Sequence, residues 1–306
     1  MNLIELFRMA VTAITSHKLR SSLTLVGIIA GVASIIGVMT GITVIQNSIE
    51  RELSVLGSTV FQVQKWAASG PTTPEERRKI MKRRPTTEEH ANAIRDKVKT
   101  VSMVGSELWS YNHLLKYREN KTNPTVIMCG GTPEYPPNNT HYVGRGRNIT
   151  NEDIRMGRQV IVLGYGLANE LFPWTDPLNR TIKVDGQRFN VVGVFAEKKS
   201  SFGGRFDNYV LVPISTFKHL YGMNDPRFGD DRSVNITVRA VSPAVVQDAI
   251  EETRAVMRAE RGLKPNEEDD FTIFTNDSQI KTFNRTTASV KTGAFVIGIV
   301  ALIVAG

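Results

Sequence analysis

The feature that most constrains the fold of this chain is an uninterrupted apolar run near its N-terminus. Residues 23–46 form a stretch of 24 positions with no charged side chain. As a helix with a rise of about 1.5 Å per residue, this stretch spans about 36 Å, enough to cross a hydrocarbon core of about 30 Å. The apolar region of a cleaved signal is shorter, about 7–15 residues, and precedes a small-residue cleavage site that the sequence after residue 46 does not contain. The run therefore predicts a permanent membrane helix.

The residues before this run predict its orientation. Lys18 and Arg20 form a basic flank, and basic flanks stay on the cytoplasmic side. Residues 1–22 place Leu3, Phe7 and Ile14 on one helical face, which predicts an amphipathic segment on the inner membrane surface. The N-terminus is therefore expected in the cytoplasm and the chain after residue 46 outside it.

Two sets of residues on this helix are candidate functional positions. Small residues four apart let a second helix approach closely, although glycine is also common in membrane helices generally. An apolar i, i+4 stripe that continues past the membrane predicts a helical stalk extending to residue 56. The packing set is Gly27, Gly31, Gly37 and Gly41, and the stalk set is Ile45, Ile49, Leu53 and Leu56.

A second apolar run occupies the C-terminal end of the sequence. Residues 286–306 are still apolar at Gly306, and no basic flank follows them. This pattern predicts the incomplete start of a second membrane helix in a truncated chain. The expected topology is inside, outside, inside, in a bacterial inner membrane.

The segment between the two runs predicts a membrane-anchored α+β protein. Residues 57–285 alternate strand and helix patterns, with helix periodicity at both ends and a strand-rich block between them. We predict a two-lobed extracytoplasmic domain. Its first lobe comprises residues 57–130 and 230–285, and residues 131–229 form an inserted second lobe.

Local patterns give more specific expectations for this domain. Thr86 and Glu89 have the spacing of a capping box, and Asp185-Gly186 is a two-residue hairpin turn. The charged stretch from Pro71 to Pro85 is expected to be a solvated surface, with contact to lipid headgroups or a partner as the alternative.

The sequence contains no pattern typical of catalysis or metal binding. It lacks a phosphate-binding P-loop and a nucleophile elbow, and its five histidines are not spaced as ligands. Cys129 lies in an apolar strand pattern and is expected in the core, while the GYGLAN stretch after residue 163 lacks the full glycine series of a phosphate loop. A net charge of +8 over 306 residues is weak support for nucleic-acid binding, so no nucleic-acid partner is expected. We therefore predict a chain that is not an enzyme.

Two blocks of the sequence resemble permeases of the MacB/FtsX type of ABC transporter. The first block is the KLRSS turn with the apolar helix and the LSVLGSTVFQVQ stretch after it. The second is similar to the MacB-like periplasmic core domain and includes Gly146-Arg147, Leu163-Gly164, Leu171-Phe172, Asp176-Pro177-Leu178 and Val191–Val194.

This resemblance implies a function and a set of partners. Permeases of this type pair as dimers, bind separate ATP-binding subunits that hold ATP and magnesium, and move an outer domain that drives export or mechanotransmission. The chain itself is then expected to hold no cofactor. The implied partners are an ATP-binding subunit, a second permease copy that is identical or different, the lipid bilayer and a periplasmic adaptor protein in some systems.

Two alternatives remain open at this stage, a membrane-anchored enzyme or adhesion domain and, more strongly, a sensor receptor. A helix, an outer domain and a second helix are also the layout of the sensing half of a transmembrane receptor kinase. The sequence after Gly306 would distinguish the receptor from the permease, because a permease continues with further membrane helices and a receptor with a signalling domain.

Overall fold

In a computed structural model of the chain, two compact units are distinguished. The structure describes residues 5, 12, 18–55, 59–66, 73–198, 207–225, 230–275, 287–288 and 290–296. Residues 1–50 and 280–306 contribute to one unit, and residues 51–279 form the other. Most of the predicted amphipathic segment, including Leu3, Phe7 and Ile14, lies outside the described residues.

The first unit contains one long apolar helix, α1 (Lys18–Val55). Residues 22–46 of this helix have a mean hydropathy of 2.3, and they are long and apolar enough to span a membrane. Apolar side chains are exposed along this stretch, including Leu25, Val26, Ile29 and Ile36. A soluble core helix buries such side chains, so their exposure fits a helix whose surroundings are lipid or other helices. Residues 290–296, in the second apolar run, are also helical.

The second unit is built on one mixed sheet flanked by helices. Its helices are α2 (Pro74–Met81), α3 (Glu88–Lys97), α4 (Tyr135–Asn138), α5 (Asn151–Arg155), α6 (Tyr165–Leu171), α7 (Ile214–Tyr221) and α8 (Val246–Glu260). A 3-10 turn at Pro243–Val245 precedes α8.

The strands fall into two sheets. Those of the large sheet are β1 (Val60–Gln64), β2 (Val101–His113), β3 (Leu115–Tyr117), β4 (Asn120–Lys121), β5 (Val126–Gly131), β6 (Val143–Gly146), β7 (Val160–Leu163), β8 (Thr181–Val184), β9 (Gln187–Phe195), β10 (Tyr209–Pro213), β13 (Asn235–Ala240) and β14 (Thr272–Thr275). A small hairpin pairs β11 (Asn224–Asp225) with β12 (Asp230–Asp231).

The large sheet is continuous from one end of the unit to the other. Its strand order is β14-β1-β13-β2-β5-β10-β7-β9-β8-β3-β4, with β6 paired to β9. The pairs β5–β10 and β7–β9 are parallel, and the other pairs are antiparallel. The β5–β10 pairing crosses the predicted border between lobes, and β3 and β4 lie beside β8 rather than with the rest of the first lobe. The two-lobe division stays a prediction.

The central strands are buried because both faces of the sheet are covered. Val160–Leu163 and Tyr209–Pro213 are buried at every position. Along β5, Met128 packs into one apolar cluster, whereas the next residue, Cys129, packs into a second. Strands covered on both faces give continuous apolar runs in the sequence, and β7 and β10 have this pattern. The expected core position of Cys129 is confirmed.

Two local predictions have different outcomes. Asp185 and Gly186 connect β8 to β9 with positive φ angles of 49° and 87°, so the hairpin turn is confirmed. The capping-box position was wrong by one residue. Thr87 is the N-cap of α3, and its N–H donates to Nδ1 of His90 at 3.0 Å. Thr86 is buried and is not the N-cap, and its N–H donates to Ser233 Oγ at 2.9 Å.

Candidate functional site

The strand that follows α1 and the last described strand before the second apolar run are neighbours in the sheet. Four residues separate the end of α1 at Val55 from the start of β1, and β14 is the last described strand before the second apolar run. We call β1 and β14 the entry–exit strand pair. They are antiparallel, with Phe61 opposite Thr275 and Gln64 opposite Thr272.

β1 is held on both of its edges. Its other neighbour is β13, where Val63 lies opposite Ile236. Phe61 and Val63 are also buried in the main apolar cluster. A displacement of β1 along its axis would break two hydrogen-bond ladders and expose these side chains, so β1 is expected to move together with the sheet.

Arg83 ties the two strands together at one end. Its Nη1 atom donates to the carbonyl oxygen of Lys65 at 2.9 Å, directly after β1. The same atom donates to Oγ1 of Thr272 at 2.8 Å, at the start of β14. One guanidinium therefore bridges the end of the entry strand and the start of the exit strand.

A second arginine, Arg261, anchors the loop that leads into β14. Its side chain is only 1% exposed, and Nη1 lies 2.9 Å from Oδ1 of Asp270. Nη2 donates to the carbonyl oxygen of Pro85 and to Oγ1 of Thr86, both at 3.2 Å. Burial lowers the pKa of Arg261, whereas the neighbouring Asp270 raises it. Removing Asp270 would leave the buried charge of Arg261 without its partner.

Basic side chains also hold the acidic run before β14. Arg84 Nε lies 3.3 Å from Oδ2 of Asp270, and Arg258 Nη1 lies 2.5 Å from Oδ1 of Asp269. Lys79 pairs with Glu268. Most described side chains of the stretch from Pro71 to Pro85 are exposed, as predicted, but Lys79 and Arg84 also pair with this acidic loop. The complementary acidic run at residues 267–270 is the sequence signal that could have indicated it.

The predicted packing set lies on α1. A Cβ atom added at Gly37 or Gly41 would meet nothing within 4 Å in the described part of the chain. Gly27 and Gly31 occupy the same helix. The structure therefore leaves room for another helix at Gly37 and Gly41, and their packing role stays a prediction.

The predicted stalk set and basic flank are only partly described. Ile45 is exposed, and α1 continues to Val55, one residue short of the predicted stalk end. The side chains of Ile49 and Leu53, and Leu56 as a whole, lie outside the described residues. Lys18 is exposed in the first turn of α1, and the side chain of Arg20 is not described. Transmission through this stripe also stays a prediction.

A buried polar centre lies on the second face of the sheet. Glu107 on β2 is 2% exposed, and its Oε1 accepts a hydrogen bond from Nδ2 of Asn235 at 3.4 Å. Burial raises the pKa of Glu107 to about 7, although hydrogen bonds from Trp109 and Asn235 lower it in part. Its carboxyl group therefore titrates near neutral pH.

Aromatic rings form a cluster beside this carboxyl group. Trp109 lies edge-on to Tyr135 with centroids 5.9 Å apart, and Tyr209 stacks on Phe195 at 5.2 Å. His141 lies 5.1 Å from the ring of Tyr209, and burial lowers its pKa to about 3, with the charge of Lys198 acting in the same direction. Sequence reasoning missed this cluster because its members come from four separate segments.

The described residues offer no catalytic constellation. No group of three or more metal-ligating side chains occurs among them. Burial raises the pKa of Cys129 well above its ordinary value, which disfavours the thiolate. Gly164, in the GYGLAN stretch, packs against backbone, since an added Cβ would lie 2.3 Å from the carbonyl oxygen of Asp207. A cleft of about 470 Å³ is lined mainly by polar residues, among them Arg95, Glu134 and Asn151.

Comparisons with known sequences give consistent results. A family model described as the MacB-like periplasmic core domain matches residues 21–256. The macrolide export ATP-binding/permease protein MacB of Neisseria gonorrhoeae is 26% identical over 303 residues, which are 99% of this chain and 44% of that protein. The uncharacterized ABC transporter permease YknZ of Bacillus subtilis is 26% identical over 311 residues, covering 100% of this chain and 72% of that protein. The chain thus spans less than half the length of the MacB relative.

Solved structures have the same fold as the second unit. The periplasmic region of MacB from Actinobacillus actinomycetemcomitans aligns with 77% of this chain and 97% of its own, with a TM-score of 0.59 and 18% identity. The extracellular domain of the noncanonic ABC-type transporter YknZ from Gram-positive bacteria aligns with 71% of this chain and 100% of its own, with a TM-score of 0.51 and 20% identity. At these identities the likeness concerns the fold alone.

Proposed function

The chain belongs to the family of proteins with a MacB-like periplasmic core domain, and on that premise we propose that it is the permease subunit of an ABC transporter. The observation that carries the proposal is the extent of the family match. Residues 21–256 include most of α1 and every strand of the mixed sheet except β14, so the match covers the join between the apolar helix and the sheet. Relatives in Bacillus subtilis are named as ABC transporter permeases.

The proposed arrangement places this chain in a bacterial inner membrane. The N-terminus with Lys18 and Arg20 lies in the cytoplasm, α1 crosses the bilayer, and the mixed sheet lies outside. Residues 286–306 begin a second membrane helix, which the helical residues 290–296 support.

In this proposal ATP hydrolysis takes place on a partner subunit. A separate ATP-binding subunit holds ATP and magnesium and hydrolyses the nucleotide, while this chain contributes no catalytic residue. A second permease copy packs against the glycine set of α1, and a periplasmic adaptor protein is an additional partner in this proposal.

Mechanical coupling is the role proposed for the stalk and the entry–exit strand pair. Movement of the stalk set (Ile45, Ile49, Leu53 and Leu56) passes along the chain into β1. Since β1 is paired on both edges and Arg83 links its end to β14, the outer sheet responds as one body. The sheet then drives export or transmits force to a partner.

The test is ATP hydrolysis in a reconstituted complex. The chain is isolated from its native membrane with its associated ATP-binding subunit, placed in lipid nanodiscs, and assayed for ATP turnover. We expect the double variant G37L/G41L to lower turnover at least about tenfold, because leucine fills the space that a second helix would occupy. The matched control V32L/I36F enlarges two exposed residues on the opposite face of the same helix and is expected to retain turnover.

Two outcomes would contradict the proposal. Equal turnover in G37L/G41L and the control would remove the packing role of the glycine set. Isolation of the chain with a phosphotransfer signalling protein, and without an ATP-binding transporter subunit, would favour the receptor-kinase alternative.

A further inference from the structure

Four basic side chains lie opposite one another across four adjacent strands at one end of the sheet. Lys121 on β4 is opposite Lys116 on β3, Lys116 is opposite Lys183 on β8, and Lys183 is opposite Arg188 on β9. All four side chains are exposed. Residues directly opposite on neighbouring strands project from the same face of a sheet. We call this row the basic ladder.

The face that bears the ladder is separate from the apolar core. Leu115, Ile182 and Phe189 alternate with the ladder residues along the same strands and are buried in the main apolar cluster. Side chains alternate between faces along a strand, so the ladder occupies the opposite, exposed face.

The ladder lacks internal charge compensation. None of its four members forms an ion pair or a hydrogen bond with a carboxylate in the part of the chain that the structure describes. The nearest carboxylate along the β8–β9 hairpin, Asp185, is engaged elsewhere. Its Oδ1 accepts from the N–H of Leu114 at 3.0 Å, and its Oδ2 lies 2.5 Å from Nδ1 of His113. Like charges placed directly opposite one another destabilise a sheet, so folding alone does not account for the row.

Protection of the sheet edge does not account for it either. Lysines on an edge strand prevent pairing with other chains, and Lys121 on the terminal strand β4 fits that role. Lys116 on β3 and Lys183 on β8, however, are each paired with a strand on both sides. A charge at such a position does not protect the edge.

The spacing of the ladder matches one class of anionic partner. Neighbouring strands are about 4.8 Å apart, so the four positions cover about 14 Å. Carboxylates at positions i, i+4, i+7 and i+11 of an α-helix form a row with neighbours about 5–6 Å apart. Alternate side chains of an extended strand are about 6.6 Å apart and fit the row less well.

We propose that the basic ladder of Lys121, Lys116, Lys183 and Arg188 is the docking surface for an acidic helix of a partner protein. The helix lies across the strands, with one face of glutamate or aspartate side chains on the four cations. This binding needs neither ATP nor an ATP-binding subunit, so its test is independent of the permease assignment.

Fluorescence anisotropy with defined peptides tests the proposal. The full chain is purified in nonionic detergent and titrated into a labelled helical peptide of about 18 residues that carries four glutamates on one face, a length of about 27 Å. A peptide of identical composition with the glutamates spread around the helix measures attraction by net charge alone. Short-chain polyphosphate as a competitor tests for an anionic polymer.

We expect the one-faced peptide to bind more tightly than the spread peptide. The variant K116Q/K183Q should weaken its binding about tenfold, because each exposed ion pair contributes about threefold. The matched control K82Q/K99Q removes the same charge from exposed lysines outside the ladder and should leave binding within about twofold.

Three results would overturn the proposal. Equal binding of the two peptides would mean that the row does not recognise a helical face. Equal loss in both double variants would mean that net charge alone attracts the peptide. Polyphosphate binding more tightly than the one-faced peptide, with the same dependence on Lys116 and Lys183, would assign the surface to an anionic polymer instead.

Discussion

The buried carboxyl group of Glu107 makes the stability of the outer domain depend on pH. Burial raises its pKa from 4.5 to about 7 in the folded chain. Between these values the folded chain keeps the proton and the unfolded chain releases it. The stabilising contribution of the protonated form is therefore complete below pH 4.5 and is lost as the pH rises through about 7.

The size of the effect follows from the shift. One pKa unit corresponds to about 1.4 kcal/mol, so a shift from 4.5 to about 7 corresponds to about 3 kcal/mol. The variant E107Q keeps a similar shape and cannot ionise. Relative to the parent chain, we expect E107Q to gain about 3 kcal/mol of unfolding free energy between pH 4.5 and pH 8.

Comparing E107Q with the parent chain removes the contribution of His141 to the pH dependence of the unfolding free energy. Burial lowers the pKa of His141 to about 3, so its stabilising contribution is present above pH 6.5 and is lost as the pH falls. Ionisation of His141 therefore lowers the stability as the pH falls, whereas ionisation of Glu107 lowers it as the pH rises. Since both chains contain His141, it cancels in the difference between them.

The measurement is urea unfolding of the full chain in detergent at several pH values. Tryptophan fluorescence reports on the transition, and Trp109 is hydrogen-bonded to Glu107 itself. The control E170Q removes an exposed carboxyl group on α6 and should follow the parent at every pH. A difference between E107Q and the parent that stays constant within about 0.5 kcal/mol from pH 4.5 to pH 8 would refute the reasoning.

Three further predictions concern packing and charge in the outer domain. R261M is expected to lower the unfolding free energy by about 3 kcal/mol in the same assay, because Asp270 keeps only the exposed Arg84 as a partner and the buried acceptors at Pro85 and Thr86 lose their donor. R254Q, at a more exposed pair with Asp269, should cost less than about 1 kcal/mol, and equal costs would argue against burial as the cause. G130A should destabilise by about 1–3 kcal/mol, because its Cβ would lie 2.3 Å from Cβ of Phe217, and an unchanged denaturation midpoint would contradict this packing. Cys129 should resist maleimide labelling in the folded chain and react after unfolding, as mass spectrometry would show; rapid labelling of the folded chain would disagree with its complete burial.

Several features could be predicted from the sequence because local rules determine them. The apolar helix follows from 24 uncharged residues in succession, since their length and hydropathy alone select a membrane span. Asp185-Gly186 predicts its turn because both central positions need positive φ, and the buried strands β7 and β10 appear as continuous apolar runs.

Other features depended on contacts between distant parts of the chain. Arg83 meets Thr272 across 189 positions, and Glu107 meets Asn235 across 128. No local pattern indicates which buried carboxylate lies beside which strand, so neither the entry–exit strand pair nor the raised pKa of Glu107 was accessible from sequence. The basic ladder required the strand register as well, since four cations in separate segments become one row only when the sheet forms. The sequence thus determined that this chain has an apolar helix long enough to span a membrane, joined to an α+β domain. The tertiary structure decided which charges meet, because long-range strand pairing sets their neighbours.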